Sequence, residues 1–378
     1  MVKNMGIGKS KMIMVIILTM KLFLLFAFNL IFYISYTQSD VYGIEGRFKS
    51  GFLLAHRGVM AHLPQHMAYT TELSLYRKPG GNKNWHRAYK YPQHGMTFIF
   101  GSVGNNDVLG YLFGSYGYIE LPIVKRNNFL LDWKFGFGAA YSSKKYDPIS
   151  NPKNAAIGSH INALGCLGVR ASYFFNRQKL TLGVDMTHFS NGAYKVPNLG
   201  VNVPFVSIGY GHDIISVKRD SNLFQDDFNS KWNFGITAIA SAKQLNLNTD
   251  RRYPVYAMDL FARKNFTQKA GLELALNLVS NQSLKETNST EIPSQKDILQ
   301  MGLYAAYILP MDCFHFVFGM GAYVKNKLMP SDPLYHRIGM RYIFKNGMHA
   351  HVVLKTHYAR ADYFELGLGY TIKSLFNK

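Results

Sequence analysis

Short segments in which apolar and polar residues alternate recur along the chain from residue 47 to residue 372. A period of two puts successive side chains on opposite faces of a β-strand, so each segment has one apolar face. No segment between them has the period of a helix. We predict sixteen strands, and merging or losing a pair would leave fourteen or twelve. The predicted strands are residues 47–56, 68–77, 96–103, 108–121, 129–142, 160–175, 179–190, 203–212, 232–242, 253–263, 270–280, 298–308, 313–324, 335–344, 349–357 and 363–372.

Composition indicates what kind of β-protein these strands form. Aromatic residues make up 15% of the chain, there are 33 glycines, and no apolar run beyond residue 40 is long enough for a membrane helix. Outer-membrane barrels have aromatic girdles, and glycine is typical where strands bend or crowd. We therefore predict an all-β fold, an antiparallel transmembrane β-barrel of about 12–16 strands. A pair of soluble domains is the alternative that the length allows.

The first 37 residues differ from the rest of the chain. Lysines precede an apolar run at residues 12–20, and after Lys21 a second apolar run leads to the small polar residues Ser35 and Thr37. This order is typical of a signal peptide, and an N-terminal membrane anchor is the alternative. We predict a signal peptide over residues 1–37 and one barrel domain over residues 38–378.

The charge balance points to an anionic partner. The whole chain has a formal charge of +20, and without residues 1–37 it keeps 38 basic and 22 acidic residues, a charge of +16. Such an excess favours nucleic acid or a phosphate-bearing lipid surface. The basic residues form no cluster typical of a nucleic-acid-binding module, so the sequence favours the lipid. The sequence does not define the oligomeric state, and a homo-oligomer is one of the alternatives.

One predicted strand ends in side chains that could carry chemistry. In residues 179–190, His188 and Ser190 end the apolar row, whereas Asp185 lies on the opposite face. In a membrane barrel the apolar row faces lipid, so an imidazole and a hydroxyl would lie at its rim. Two residues apart on one face, they can reach hydrogen-bond distance, as an activated serine requires. Polar groups in an interfacial belt are the simpler alternative.

The residues that follow carry a family resemblance. The chain reads His188-Phe-Ser190-Asn191 and then Pro197-Asn198-Leu-Gly200. This pattern resembles the PagL-like lipid A 3-O-deacylases, outer-membrane barrels with a serine-hydrolase site that faces the outer leaflet. The resemblance implies Ser190 as the nucleophile and His188 as the general base, with no metal or other cofactor. It also implies an oxyanion hole formed by Asn191 and nearby backbone N–H groups, those of Gly192 and Ala193.

Two positions depart from the family pattern. The family's glycine after the Ser-Asn pair comes one residue later than here, where Gly192 precedes Ala193. The acid that orients the histidine would fall at Asn202. An amide can accept a hydrogen bond from the imidazole and fix its tautomer, but it offers no charge. Glu365 is the alternative orienting residue if its strand closes beside that of His188.

These observations predict an outer-membrane serine esterase of a Gram-negative bacterium that removes an ester-linked acyl chain from lipid A of lipopolysaccharide. Lys195, in the loop after Ser190, is the candidate contact for a substrate phosphate because of its charge. The alternative is a non-catalytic outer-membrane barrel, a porin, transporter or structural protein whose hydrolase site is silenced by the missing acid.

Overall fold

The structure is a computed structural model, and it describes residues 40–81, 83–216, 230–286, 292–358 and 360–372. The predicted signal peptide lies outside the described residues. Within them are sixteen strands, one short helix and two single turns of 3₁₀ helix, Gly58–Met60 and Gln282–Glu286. The first half contains β1 (Val41–Phe52), β2 (Met67–Lys78), α1 (Asn84–Ala88), β3 (Gln93–Ser102), β4 (Tyr111–Arg126), β5 (Phe129–Ser142), β6 (Ile161–Phe175), β7 (Gln178–Ser190) and β8 (Val201–Ser216). The second half contains β9 (Trp232–Lys243), β10 (Tyr253–Thr267), β11 (Ala270–Asn281), β12 (Leu299–Met311), β13 (Phe314–Lys325), β14 (Leu334–Ile343), β15 (Met348–His357) and β16 (Arg360–Ile372).

The strands form two closed antiparallel barrels of eight strands each, β1–β8 and β9–β16. The all-β barrel fold and the total of sixteen strands are as predicted, but the sequence predicted one barrel over residues 38–378. The difference arises because β8 pairs back onto β1, with Phe48 opposite Ile208, and β16 pairs onto β9. Alternation along a strand defines its two faces and carries no information about which strand its edge will meet.

The inward faces of the first barrel carry buried ion pairs. Lys49 Nζ lies 3.2 Å from Glu72 Oε1 and 2.7 Å from Asp185 Oδ1. Tyr116 donates its hydroxyl to Glu72 at 2.7 Å, and Lys134 Nζ donates to that hydroxyl at 2.9 Å. An eight-stranded barrel has an interior just wide enough for side chains to fill. Here these ion pairs share it with a cluster of buried apolar side chains that includes Leu164, Phe189 and Phe205.

The second barrel is filled in the same way. Arg337 contacts Asp259 at 2.9 Å and Glu365 at 2.8 Å, and all three side chains are buried. Arg341 pairs with Glu273 nearby. Buried charged groups must be paired to be tolerated, so these networks show that the polar faces of the strands that carry them point inward.

The outward faces are apolar. In β7, the outward side chains of Leu180, Leu182 and Val184 are 49%, 61% and 56% exposed. Lys179 and Thr181, on the opposite face of the strand, are buried. Within the described residues, no helix combines the length and the apolar character needed to cross a membrane.

The two barrels touch at both ends. At one end, the Tyr89 hydroxyl beyond α1 donates to Lys269 O at 3.2 Å, and Lys83 forms an ion pair with Asp312. At the other end, Gln244 N donates to Ala193 O at 3.0 Å. The Gln244–Ala193 contact joins the β9–β10 connection to the loop that follows β7.

Candidate active site

Ser190 and His188 lie within hydrogen-bond distance at the end of β7. His188 Nε2 is 2.9 Å from Ser190 Oγ. Both side chains continue the outward row of β7 above Met186, so they point away from the barrel interior. Ser190 is only 4% exposed, because the loop that follows covers it. The sequence predicted this pairing and this direction from the period of the strand.

The antiparallel register brings Asn202 to the other side of His188. Asn202 in β8 lies opposite His188 in β7, and Asn202 Oδ1 is 2.6 Å from His188 Nδ1. The alternative orienting residue is wrong, because Glu365 lies inside the second barrel, hydrogen-bonded to Arg337. Asp185 points into the first barrel toward Lys49, as its place on the opposite face predicted.

These contacts define the tautomer of His188. The amide oxygen of Asn202 can only accept, so the proton of the neutral imidazole is on Nδ1. Nε2 then carries the lone pair that accepts the proton of the Ser190 hydroxyl. This is the polarity that an activated serine requires.

A fourth residue, His56, continues the series, and sequence reasoning missed it. Asn202 Nδ2 is 3.1 Å from His56 Nδ1, and His56 Nε2 is 3.1 Å from Leu199 O. His56 lies in the exposed connection between β1 and β2. It reaches the site because β1 is paired with β8, which no local spacing in the sequence indicates.

The loop after Ser190 begins with a tight turn. Tyr194 N donates to Asn191 O at 3.2 Å, and the two central residues, Gly192 and Ala193, have φ of +61° and +60°. Two positive φ values at the central positions are typical of a type I′ turn. The residue order that departs from the family pattern is therefore accommodated by a left-handed Ala193.

The three predicted oxyanion-hole residues differ in their contacts. Asn191 is occupied with the loop, since its backbone N–H donates to Asn198 Oδ1 and its side chain donates to Ser159 Oγ and Lys195 O, each at 2.8 Å. By contrast, no acceptor among the described residues takes the backbone N–H of Gly192 or Ala193. Gly192 is buried and Ala193 partly exposed, and both N–H groups lack a protein acceptor in this part of the chain.

Glycine is required at position 200, where the backbone passes close to the imidazole. φ at Gly200 is +77°, and a Cβ there would lie 2.8 Å from His188 Cε1. Gly200 N donates to Ala156 O at 3.0 Å, which ties this segment to the β5–β6 connection. The Pro-Asn-x-Gly pattern thus packs directly on the histidine.

The β5–β6 connection, residues 143–160, is ordered beside the site. Asp147 accepts hydrogen bonds from Ile149 N at 3.0 Å and Ser150 N at 2.8 Å. These backbone donors hold the pKa of the Asp147 carboxyl below its usual range. Farther along, a Cβ on Gly158 would lie 2.6 Å from Val196 O, so the connection and the site loop are in close contact.

The second barrel also contacts the site loop. Gln244, buried in the β9–β10 connection, accepts a hydrogen bond from Val196 N at 3.1 Å while its own backbone N–H donates to Ala193 O. Lys195, the predicted phosphate contact, forms a 3.2 Å ion pair with the exposed Asp250. Sequence reasoning missed these contacts because they depend on how two barrels meet.

Below the Ser190–His188 pair, the outer wall of the first barrel has an apolar depression of about 640 Å³. Met186, Val184, Leu167 and Trp133 are among the residues that line it. Gly165 lies opposite His188 in β6, and a Cβ there would meet nothing within 4 Å.

Among the described residues, no group of His, Cys, Asp and Glu side chains could hold a metal ion.

Two family models match the chain, one on each barrel. The model described as lipid A 3-O-deacylase (PagL) matches residues 69–211, and the model described as acyloxyacyl hydrolase, C-terminal domain, matches residues 230–374. The chain belongs to the PagL family. The PagL model spans β2 to most of β8 and contains His188 and Ser190, so it covers the barrel with the candidate site. The C-terminal model covers β9–β16.

Other comparisons add little to the PagL assignment. No curated protein matches the chain significantly. Among solved structures, two mutants of the Rhodopseudomonas blastica porin are similar at 11% and 12% sequence identity, covering 88% of this chain and 100% of theirs, each with a TM-score of 0.18. A TM-score this low gives no information about the arrangement of the two barrels.

Proposed function

We propose that the protein is an outer-membrane serine esterase that removes an ester-linked acyl chain from lipid A of lipopolysaccharide. The observation that carries this proposal is the hydrogen-bonded series Ser190–His188–Asn202 on the outward, apolar row of a barrel strand. Membership of the PagL family, described as lipid A 3-O-deacylase, supports it, and we propose the same 3-O ester as the bond that is cut.

The chemistry follows from which atoms of the Ser190–His188–Asn202 series donate and which accept hydrogen bonds. His188 Nε2 takes the proton of Ser190 as Oγ attacks the ester carbonyl, and the oxyanion that forms can accept from the free N–H groups of Gly192 and Ala193. His188 then gives the proton to the departing sugar oxygen as the ester C–O bond breaks. Water, deprotonated by His188, attacks the acyl-enzyme and releases the fatty acid, and the proton returns to Ser190. Asn202 Oδ1 accepts the Nδ1 proton of His188 throughout the reaction and adds no charge.

The surroundings suit a lipid substrate. Outward apolar faces and inward ion pairs are the pattern of a barrel in a bilayer, so we propose that both barrels lie in the outer membrane of a Gram-negative bacterium. An acyl chain along the first barrel would pass the apolar depression that Met186 lines. Lys195 is the proposed contact for a lipid A phosphate, which would compete with Asp250 for the ammonium group.

One observation favours the second candidate function, a barrel whose hydrolase site is silenced. The residue that orients His188 is an amide, and Asn202 cannot stabilise the imidazolium by charge. A porin function has less support, because buried ion pairs occupy the interiors of both barrels.

Fatty-acid release from purified lipopolysaccharide tests the proposal. The wild type should shorten lipid A by the mass of one acyl chain, whereas Ser190→Ala and His188→Ala should each abolish the release and leave the barrels folded. Ser207→Ala is the matched control, since Ser207 is also 4% exposed but lies on the inward face of β8. Normal release by both site variants would refute the assignment, and no release by the wild type would favour the silenced barrel.

A further inference from the structure

The hydrogen-bond series that begins at Ser190 does not end at Asn202. It passes through His56 to a backbone carbonyl, that of Leu199. The distances are 2.9 Å from Ser190 to His188, 2.6 Å from His188 to Asn202, and 3.1 Å for each of the two links beyond. Each ring nitrogen and each amide atom in this series has a neighbour.

An amide in the orienting position raises a problem that a carboxylate does not. The two ends of an amide have nearly the same shape, but one accepts hydrogen bonds and the other donates. If Asn202 were flipped, Nδ2 would face His188 Nδ1 and would need a lone pair there. The proton would then move to Nε2, where it would prevent His188 from accepting the proton of Ser190. A carboxylate presents an acceptor in either orientation.

His56 removes this ambiguity. Two carbonyl oxygens, which can only accept, lie near the His56 ring: Leu199 O is 3.1 Å from Nε2 and Leu54 O is 3.4 Å from Nδ1. The Leu199 contact is the shorter, and Leu54 O already accepts from His56 N at 3.0 Å. We therefore assign the proton of the neutral ring to Nε2, which leaves Nδ1 to accept. Only the Nδ2 end of Asn202 can face that acceptor, which turns Oδ1 toward His188. We propose that His56 is a positioning residue that holds the Asn202 amide in the orientation needed to keep His188 a base.

Backbone contacts hold His56 where this role requires it. Leu54 N donates to Asn202 O at 2.9 Å, which continues the pairing of β1 with β8 beyond the end of β1. His56 N in turn donates to Leu54 O at 3.0 Å. The segment that carries the imidazole is thus attached to the same residue whose side chain the imidazole orients.

The inference rests on the proposed esterase function, and a double-mutant cycle tests it. His56→Ala should lower kcat for acyl release roughly tenfold or more with little change in KM, because a misdirected histidine tautomer can cost a triad about 10⁴-fold. His56→Asn should restore much of the rate, since its Oδ1 can accept where Nδ1 did. In an Asn202→Asp background, His56→Ala should cost far less, because both carboxylate oxygens accept.

His62 provides the control for His56→Ala. His62 lies in the same connection and its Nε2 makes a similar 2.7 Å contact with a loop carbonyl, that of Lys153. His62→Ala should therefore leave kcat near the wild-type value. An equal loss for His56→Ala in the wild-type and Asn202→Asp backgrounds would mean that His56 only braces the loop, and the proposal would be overturned.

A second readout does not depend on turnover. In protein labelled with ¹⁵N-histidine, the NMR shifts should report His56 as the Nε2–H tautomer and His188 as the Nδ1–H tautomer, and His188 should lose its single tautomer in His56→Ala. Finding His56 as the Nδ1–H tautomer would overturn the proposal. If the tautomers are as stated but the wild type releases no fatty acid, the esterase proposal fails and the orienting role of His56 stands.

Discussion

The ring of Phe364, on the outer wall of the second barrel, lies against the backbone of Gly192 in the loop after Ser190. A Cβ on Gly192 would collide with Cδ2 of the Phe364 ring, and φ at this glycine is +61°. Both the contact and the left-handed backbone favour glycine. The second barrel therefore forms one boundary of the turn whose N–H groups we propose as the oxyanion hole.

Replacement of Gly192 should damage this turn. Gly192→Ala should lower fatty-acid release and destabilise the folded protein by about 1–2 kcal/mol from the backbone conformation alone. Adding Phe364→Ala should recover part of the release, because the ring that a Cβ meets is gone. Gly46→Ala is the control, since a Cβ at Gly46 meets nothing within 4 Å. If Phe364→Ala recovers none of the release, the contact between the barrels does not shape the site.

The outer wall beside the Ser190–His188 pair yields a second prediction. Gly165 lies opposite His188 in β6, so no side chain projects from the outer surface at that position. Gly165→Phe should reduce release of fatty acid strongly, because a ring in that place would occupy the path of an acyl chain toward Ser190. Gly46→Phe, equally open but on β1, should leave the rate close to that of the wild type. Comparable thermal unfolding of the two variants would separate blockage from misfolding, and equal rates would contradict the proposed acyl path.

The strands and the pairing of His188 with Ser190 were predictable because both depend on local spacing. A period of two identifies a strand wherever it occurs, and it places His188 and Ser190 on one face without any knowledge of neighbouring strands. Asn202 was reached only through the resemblance to the PagL family. Its contact with His188 depends on the register of β7 with β8, which a connecting loop of ten residues does not define.

The features that the sequence did not predict depend on which strand edges meet. Closure of β8 onto β1 divides the strands into two barrels and also brings His56 to Asn202. Contact between the barrels brings Gln244 and Phe364 to the site loop. Hydrophobic alternation is the same in one sixteen-stranded barrel and in two eight-stranded barrels, so no pattern in the sequence distinguishes them.

Gln244 offers a test of the second barrel's contribution. Gln244→Ala would leave the N–H of Val196 without its acceptor, a loss of about 1–3 kcal/mol if the group stays buried. We expect a lower rate of fatty-acid release because the site loop is less firmly held. Gln300→Ala is the matched control, since Gln300 is also 4% exposed and in the second barrel, but donates to Asn326. Equal rates for the two variants would mean that the site loop holds its shape without the second barrel.

The ion pairs inside the first barrel lead to the last prediction. Glu72 is buried beside Lys49, Lys134 and Arg47, so Glu72→Ala would leave buried cations with fewer partners. Breaking such a buried network typically costs about 3–5 kcal/mol, and the urea midpoint of unfolding should fall accordingly. Fatty-acid release per folded molecule should stay near that of the wild type, because Glu72 points inward whereas Ser190 points outward. An unchanged urea midpoint would contradict a stabilising role for these ion pairs, and a lost rate in fully folded protein would show that the interior of the barrel is coupled to the site on its outer wall.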